Sequence, residues 1–152
     1  MKHEFVLISR HPELYGSVTN TLRKLFGVQA HVKRIGHGAR CLCGGIPNNA
    51  IVIADADGIS GQSFREFISD EVGHRFPVIA IMDEHHPAYN AICRMGICSV
   101  IKSAPEGVFR RSLEHAVMDL INLLALQQVE QMIAAGTHSR NPFTSRPPFG
   151  AF

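Results

Sequence analysis

The chain has 152 residues, room for one domain of ordinary size and too little for two. It is 45% hydrophobic and 18% charged, and Lys+Arg 15 against Asp+Glu 13 leaves a net +2, which excludes the basic excess of a dedicated nucleic-acid binder. No stretch approaches the roughly 20 apolar residues of a membrane span, and the first residues lead into a strand-like run instead of a signal peptide, so a soluble cytoplasmic domain is expected.

Phe5-Val6-Leu7-Ile8 is an unbroken apolar run, the pattern of a strand buried on both faces. Ser9-Arg10 follows, and His11-Pro12 opens a helix with Pro at its first position and Glu13 in its first turn. Leu14, Val18, Leu22 and Leu25 form its apolar stripe, and Gly27 ends it. A second strand is predicted over 28–35. The Gly-rich segment 36–49 has room only for a short helix near 39–43. Its Gly36-His37-Gly38 lacks the rest of a nucleotide-binding fingerprint and follows the wrong strand. The third strand is 50–54, leading to Asp55-Ala56-Asp57-Gly58, and Phe64, Phe67, Ile68 and Val72 then give a helical stripe stopped by Gly73. The fourth strand is 77–82, followed by Asp83-Glu84-His85-His86, and a short helix over 87–95 ends at Gly96. The fifth strand, 99–101, runs into Lys102-Ser103-Ala104-Pro105 and a long helix.

Short apolar strands alternating with helices predict an α/β domain, a doubly wound parallel sheet with helices on both faces. Functional groups in such sheets gather beyond the carboxyl ends of the strands. Here those ends carry Ser9 and Arg10, Asp55 and Asp57, Asp83, and Lys102 with Ser103. Charges of both signs at four strand ends mark the candidate site. The cysteines, Cys41-x-Cys43 and Cys93-x4-Cys98, lack metal-ribbon or redox spacing and are expected to be reduced and packed as small apolar groups. Of the nine histidines only His85 and His86 are adjacent, so neither a metal nor another cofactor is expected.

The runs 6–12, 51–55 and 77–80, with Ile101-Lys102-Ser103-Ala104-Pro105, make the chain resemble the receiver domains of two-component response regulators, especially those of the LuxR/NarL class, over about residues 4–120. The resemblance implies a flavodoxin-like (βα)5 fold, with Asp55 as phosphoacceptor, Asp57 as a weaker candidate, and Lys102 as the phosphoryl contact. It also implies an acidic pair that helps to hold Mg²⁺, where this chain has Ser9 and Arg10, and a hydroxyl residue where it has Met82. The switch aromatic of the fifth strand falls near Ser99 or Val100. The pocket is therefore degenerate: with Asp55 facing both Lys102 and Arg10, the local charge is near +1, or near 0 with Asp57, and repels the ion.

In the long helix, Phe109, Leu113, Ala116 and Leu120 form the expected core stripe, but Val117, Met118, Ile121, Leu123, Leu124 and Leu126 add apolar groups around most of the circumference. A helix apolar all round must be buried on more than one side. The expected partner is a second copy, meeting Val117, Ile121, Leu124 and the 126–133 stretch; the alternative is a helix folded back on its own domain. The predicted division is a receiver-like domain over 1–122, a helical extension over 123–136 and a flexible tail over 137–152. No helix-turn-helix pattern occurs in these residues, so no nucleic-acid partner is expected within them.

The leading expectation is thus an atypical receiver domain, not an enzyme, that acts in signal transduction and transcription regulation through protein contact and dimerisation, without ordinary Mg²⁺-dependent phosphorylation. The alternatives are a working phospho-receiver modified on Asp55 by a histidine kinase, and a small ligand binder or enzyme using Asp55, Asp83, His85 and Lys102.

Overall fold

The computed structural model describes residues 3–36, 46–73 and 75–139. Five strands, β1 (His3–Ile8), β2 (Ala30–Ile35), β3 (Ile51–Asp55), β4 (Val78–Met82) and β5 (Cys98–Ile101), form one sheet in the order β2-β1-β3-β4-β5. Every neighbouring pair is parallel. The helices are α1 (Pro12–Phe26), α2 (Gly61–Glu66), α3 (Tyr89–Arg94) and α4 (Glu106–Ser139). This is the flavodoxin-like doubly wound arrangement, with its order reversing between β1 and β3.

The central strands β3 and β4 are buried at every position. Strand alternation sends Val6, Ile8, Val52, Ala54, Val78, Ala80 and Met82 to one face, where they pack with Phe64, Ile68, Val72 and Ile92. The alternate residues Phe5, Leu7, Ile53, Ile79 and Ile81 are buried as well, as are Val18 and Leu22 of α1 and Phe109, Leu113 and Ala116 of α4. Burial on both faces explains why these strands read as continuous apolar runs.

The structure alters several expectations. Gly27 adopts φ +60°, and residues Gly27–Gln29 make a 3₁₀ turn, so β2 starts at Ala30 and leaves Val28 exposed. The stripe from Phe64 does not form one α-helix. After α2 the chain continues as a π-helical turn over Phe67–Val72, closed by Gly73 N–H donating to the Ile68 carbonyl at 2.6 Å. Cys93 and Cys98, expected as packed groups, are exposed and not joined in a disulfide, because they sit at the end of a short helix and on the edge strand. Cys41, Cys43, His37, Gly38 and the short helix expected near 39–43 lie outside the described residues, as does the tail beyond 139.

Contacts divide the chain into two units, 1–117 and 118–152. Val117, expected in an intermolecular contact, is wholly buried in the first unit, because it continues the buried stripe of Leu113 and Ala116. Ile121 and Leu124 are half-buried.

Candidate functional site

The reversal of strand order places the carboxyl ends of β1 and β3 side by side, with β4 and β5 beyond. Asp55, the last residue of β3, has no solvent exposure. An ionised carboxylate survives such burial only when donors replace water. Ser9, equally buried, donates from Oγ to Asp55 Oδ2 at 2.8 Å and accepts the backbone N–H of His11 at 3.0 Å. Lys102, just past β5, brings Nζ to 3.1 Å from Oδ2 and 3.3 Å from Oδ1. The backbone N–H of Asp57 donates to Oδ1 at 3.1 Å. A carboxylate offers about four lone-pair sites, and these donors occupy both oxygens.

Asp57 forms the outer layer. Its carboxylate is half exposed, lies 3.4 Å from Lys102 Nζ and meets His11 Nε2 at 2.5 Å. The acceptor assigns the proton to Nε2 of His11. The other ring nitrogen is 3.6 Å from Glu13 Oε1. The His11 hydrogen bond, aided by the Lys102 charge and opposed by desolvation, holds the Asp57 carboxyl below its usual range. A lowered folded pKa means that the contribution to stability is present above the unfolded value of about 3.9 and is lost as pH falls through the folded pKa. His11→Ala is expected to move the Asp57 titration midpoint, followed by carboxyl-carbon NMR, up toward the ordinary value. An unchanged midpoint would mean that the hydrogen bond is not the cause.

Ser9, Asp55, Asp57 and Lys102 are therefore brought together as expected. Arg10 is not. Its Nη1 donates to the Gly58 carbonyl at 3.1 Å instead of reaching Asp55, whose oxygens already have Ser9 and Lys102. Gly58 has φ +80°, and a Cβ there would come within 2.6 Å of that Nη1, so glycine permits both the turn and the arginine above it. With Arg10 turned away, Asp55, Asp57 and Lys102 sum to −1 with His11 neutral, which corrects the near-neutral or positive count expected from sequence. Met82 is buried and pairs with Ile101 in the sheet. Asp83 accepts the backbone N–H of Ser103 at 3.0 Å and so fixes the loop after β5. His85 is 93% exposed and stands beside Glu84. His11 is a site residue that sequence reasoning misses; its only signal is the His-Pro opening of α1 after a site strand.

A cleft of about 250 Å³ opens beside Lys102 and His11, with Leu14 and Phe109 in its lining. Among the described residues no group of three or more His, Cys, Asp or Glu side chains is placed to hold a metal ion.

No family model matches the chain, and no curated protein matches it by sequence. Solved structures do. The chemotaxis response regulator CheY4 of Vibrio cholerae matches with a TM-score of 0.55 and 13% identity, over 76% of this chain and 99% of that one. An uncharacterized protein from Neptuniibacter caesariensis matches with a TM-score of 0.60 and 13% identity, over 83% of this chain and 92% of that one. At such identity the likeness is one of fold: this chain has the receiver-type, flavodoxin-like α/β architecture.

Proposed function

We propose that this chain is an atypical receiver domain of the LuxR/NarL type. It works in cytoplasmic signal transduction and transcription regulation through protein contact and self-association, without catalysis and without ordinary Mg²⁺-dependent phosphorylation. The enclosure of Asp55 carries this reading. Mg²⁺ takes octahedral oxygen ligands, usually one or two carboxylates with waters, and loses its hydration shell reluctantly. Here both Asp55 oxygens are committed to Ser9, Lys102 and a backbone N–H, and Asp57 beside it presents a half-exposed carboxylate. The residues beside them, Ser9 and Arg10, add no negative charge, and Met82 supplies no hydroxyl to an incoming phosphoryl group. No helix among the described residues is long and apolar enough to cross a membrane.

Beryllofluoride with Mg²⁺ imitates an acyl phosphate and separates this reading from a domain phosphorylated on Asp55 by a histidine kinase. Added to the ¹⁵N-labelled chain, it is expected to leave the amide signals of residues 55–58 and 102–104 in place. Saturable shifts confined to those residues at millimolar Mg²⁺ would establish the phosphorylated reading instead.

A further inference from the structure

The second unit carries a stretch of α4 that water does not suit. From 118 to 135 the only charged residues are Asp119 and Glu130, while Leu126, Val129, Met132 and Ile133 are each more than half exposed and Met118 is 38% exposed. At 3.6 residues per turn these five residues fall on one side of this stretch. Most helical stability in proteins comes from packing of an apolar face, and an exposed apolar stripe is a reason for the helix to associate.

The stripe has an internal order. Met118, Asn122, Ala125, Val129 and Met132 follow the alternating four- and three-residue spacing of a coiled-coil seam. Val129 and Asn122, seven residues apart, take the position that favours β-branched residues in parallel pairs, where a single Asn fixes register and strand number. Leu126 and Ile133 flank the seam on one side. Neither Asp119 nor Glu130 occupies a seam position: Glu130 lies off the contact, and Asp119, seven residues before Leu126, lies on the flank, so a second identical helix brings charge only to the rim.

We propose that this face of α4 pairs with the same face of a second copy of the chain, parallel and in register, with Asn122 opposite Asn122. The inference rests on the self-association in the function proposed above, not on the closed pocket, and it replaces Val117 and Leu124 with the Met118–Met132 seam. At 1.5 Å per residue the stripe is about 24 Å long, and with a helix width of about 10 Å it covers a few hundred Å² per copy. That is the size of a transient interface, so association is expected in the micromolar range.

Sedimentation of the full chain from about 1 to 100 µM tests this. The unaltered chain is expected to pass from monomer to dimer. Val129→Glu with Met132→Glu is expected to stay monomeric, whereas Leu123→Glu, exposed but off the seam, is expected to dimerise normally. Asn122→Cys is expected to form an interchain disulfide under mild oxidation, above the background of the native cysteines, and Leu123→Cys is not. This second readout holds even where the charged variant fails to fold. A monomeric unaltered chain, dimers in the folded seam variant, or equal cross-linking at 122 and 123 would each overturn the proposal. Beryllofluoride shifts at Asp55 would instead overturn the pocket reading and leave this one standing.

Discussion

Replacing Lys102 with methionine is expected to lower the unfolding free energy by about 3 kcal/mol, the low end of what breaking a buried ion pair costs. The loss comes less from the missing attraction than from what stays behind. Asp55 has no exposure, so without Nζ its buried charge loses its cationic partner, and neutral donors such as the Ser9 hydroxyl and the Asp57 N–H do not replace it. Lys102 keeps 24% of its side chain exposed, which lets water soften the loss and argues against the upper end of the range. In the Lys102→Met background, Asp55→Asn is expected to recover much of the stability, because an amide of nearly the same shape carries no charge to strand. Urea denaturation of the two single variants and the double variant gives the coupling energy, expected to exceed about 1 kcal/mol. Strict additivity would mean that the pair is incidental to the fold. The same measurement bears on function, since a pair that holds the strand ends together is not readily opened for a metal ion.

The strands are legible in the sequence because burial on both faces leaves a continuous apolar run, and the predicted β1, β3, β4 and β5 fall within a residue or two of their observed bounds or, for β1, reach its last residue. Asp55 and Lys102 are legible for the same reason: each is the first charged residue after such a run, and parallel topology brings those ends together. What the pattern does not encode is direction beyond the last strand residue. Ser9 still alternates inward and reaches the carboxylate, but Arg10 follows the turn and finds Gly58. His11 is hidden because a helix-opening His-Pro has a sufficient local explanation. The exposed cysteines escape because composition says how often such residues are buried, not which ones lie on an edge strand. On α4, apolar content alone does not say where the core face ends; the observed burial of Val117 does.

The two glycines at 16 and 73 are expected to respond in opposite ways to the same substitution. Gly16 is exposed in the middle of α1, and an added Cβ would meet nothing within 4 Å, so Gly16→Ala should stabilise by about 0.5–1 kcal/mol through backbone entropy and helix propensity. Gly73 also has ordinary helical angles, φ −64° and ψ −21°, and propensity alone predicts the same gain. Its surroundings reverse the sign. Phe64, Ile68 and Val72, all without exposure, are spaced by four residues, a spacing that drifts about 40° per step around an α-helix of 3.6 residues per turn. The π turn over Phe67–Val72 takes up more residues per revolution and keeps all three on the core. Closing that turn draws Gly73 N–H to the Ile68 carbonyl, and a Cβ at 73 would meet the same oxygen closer than carbon and oxygen can approach. The obstacle is backbone, which cannot rotate aside as a side chain does. Gly73→Ala should therefore cost about 2 kcal/mol, the usual scale of overpacking, and lower Tm by several degrees. Thermal unfolding of both variants decides it: if Gly73→Ala is as stable as Gly16→Ala, the turn is not closed by the Gly73–Ile68 bond and the alignment of Phe64, Ile68 and Val72 has another cause.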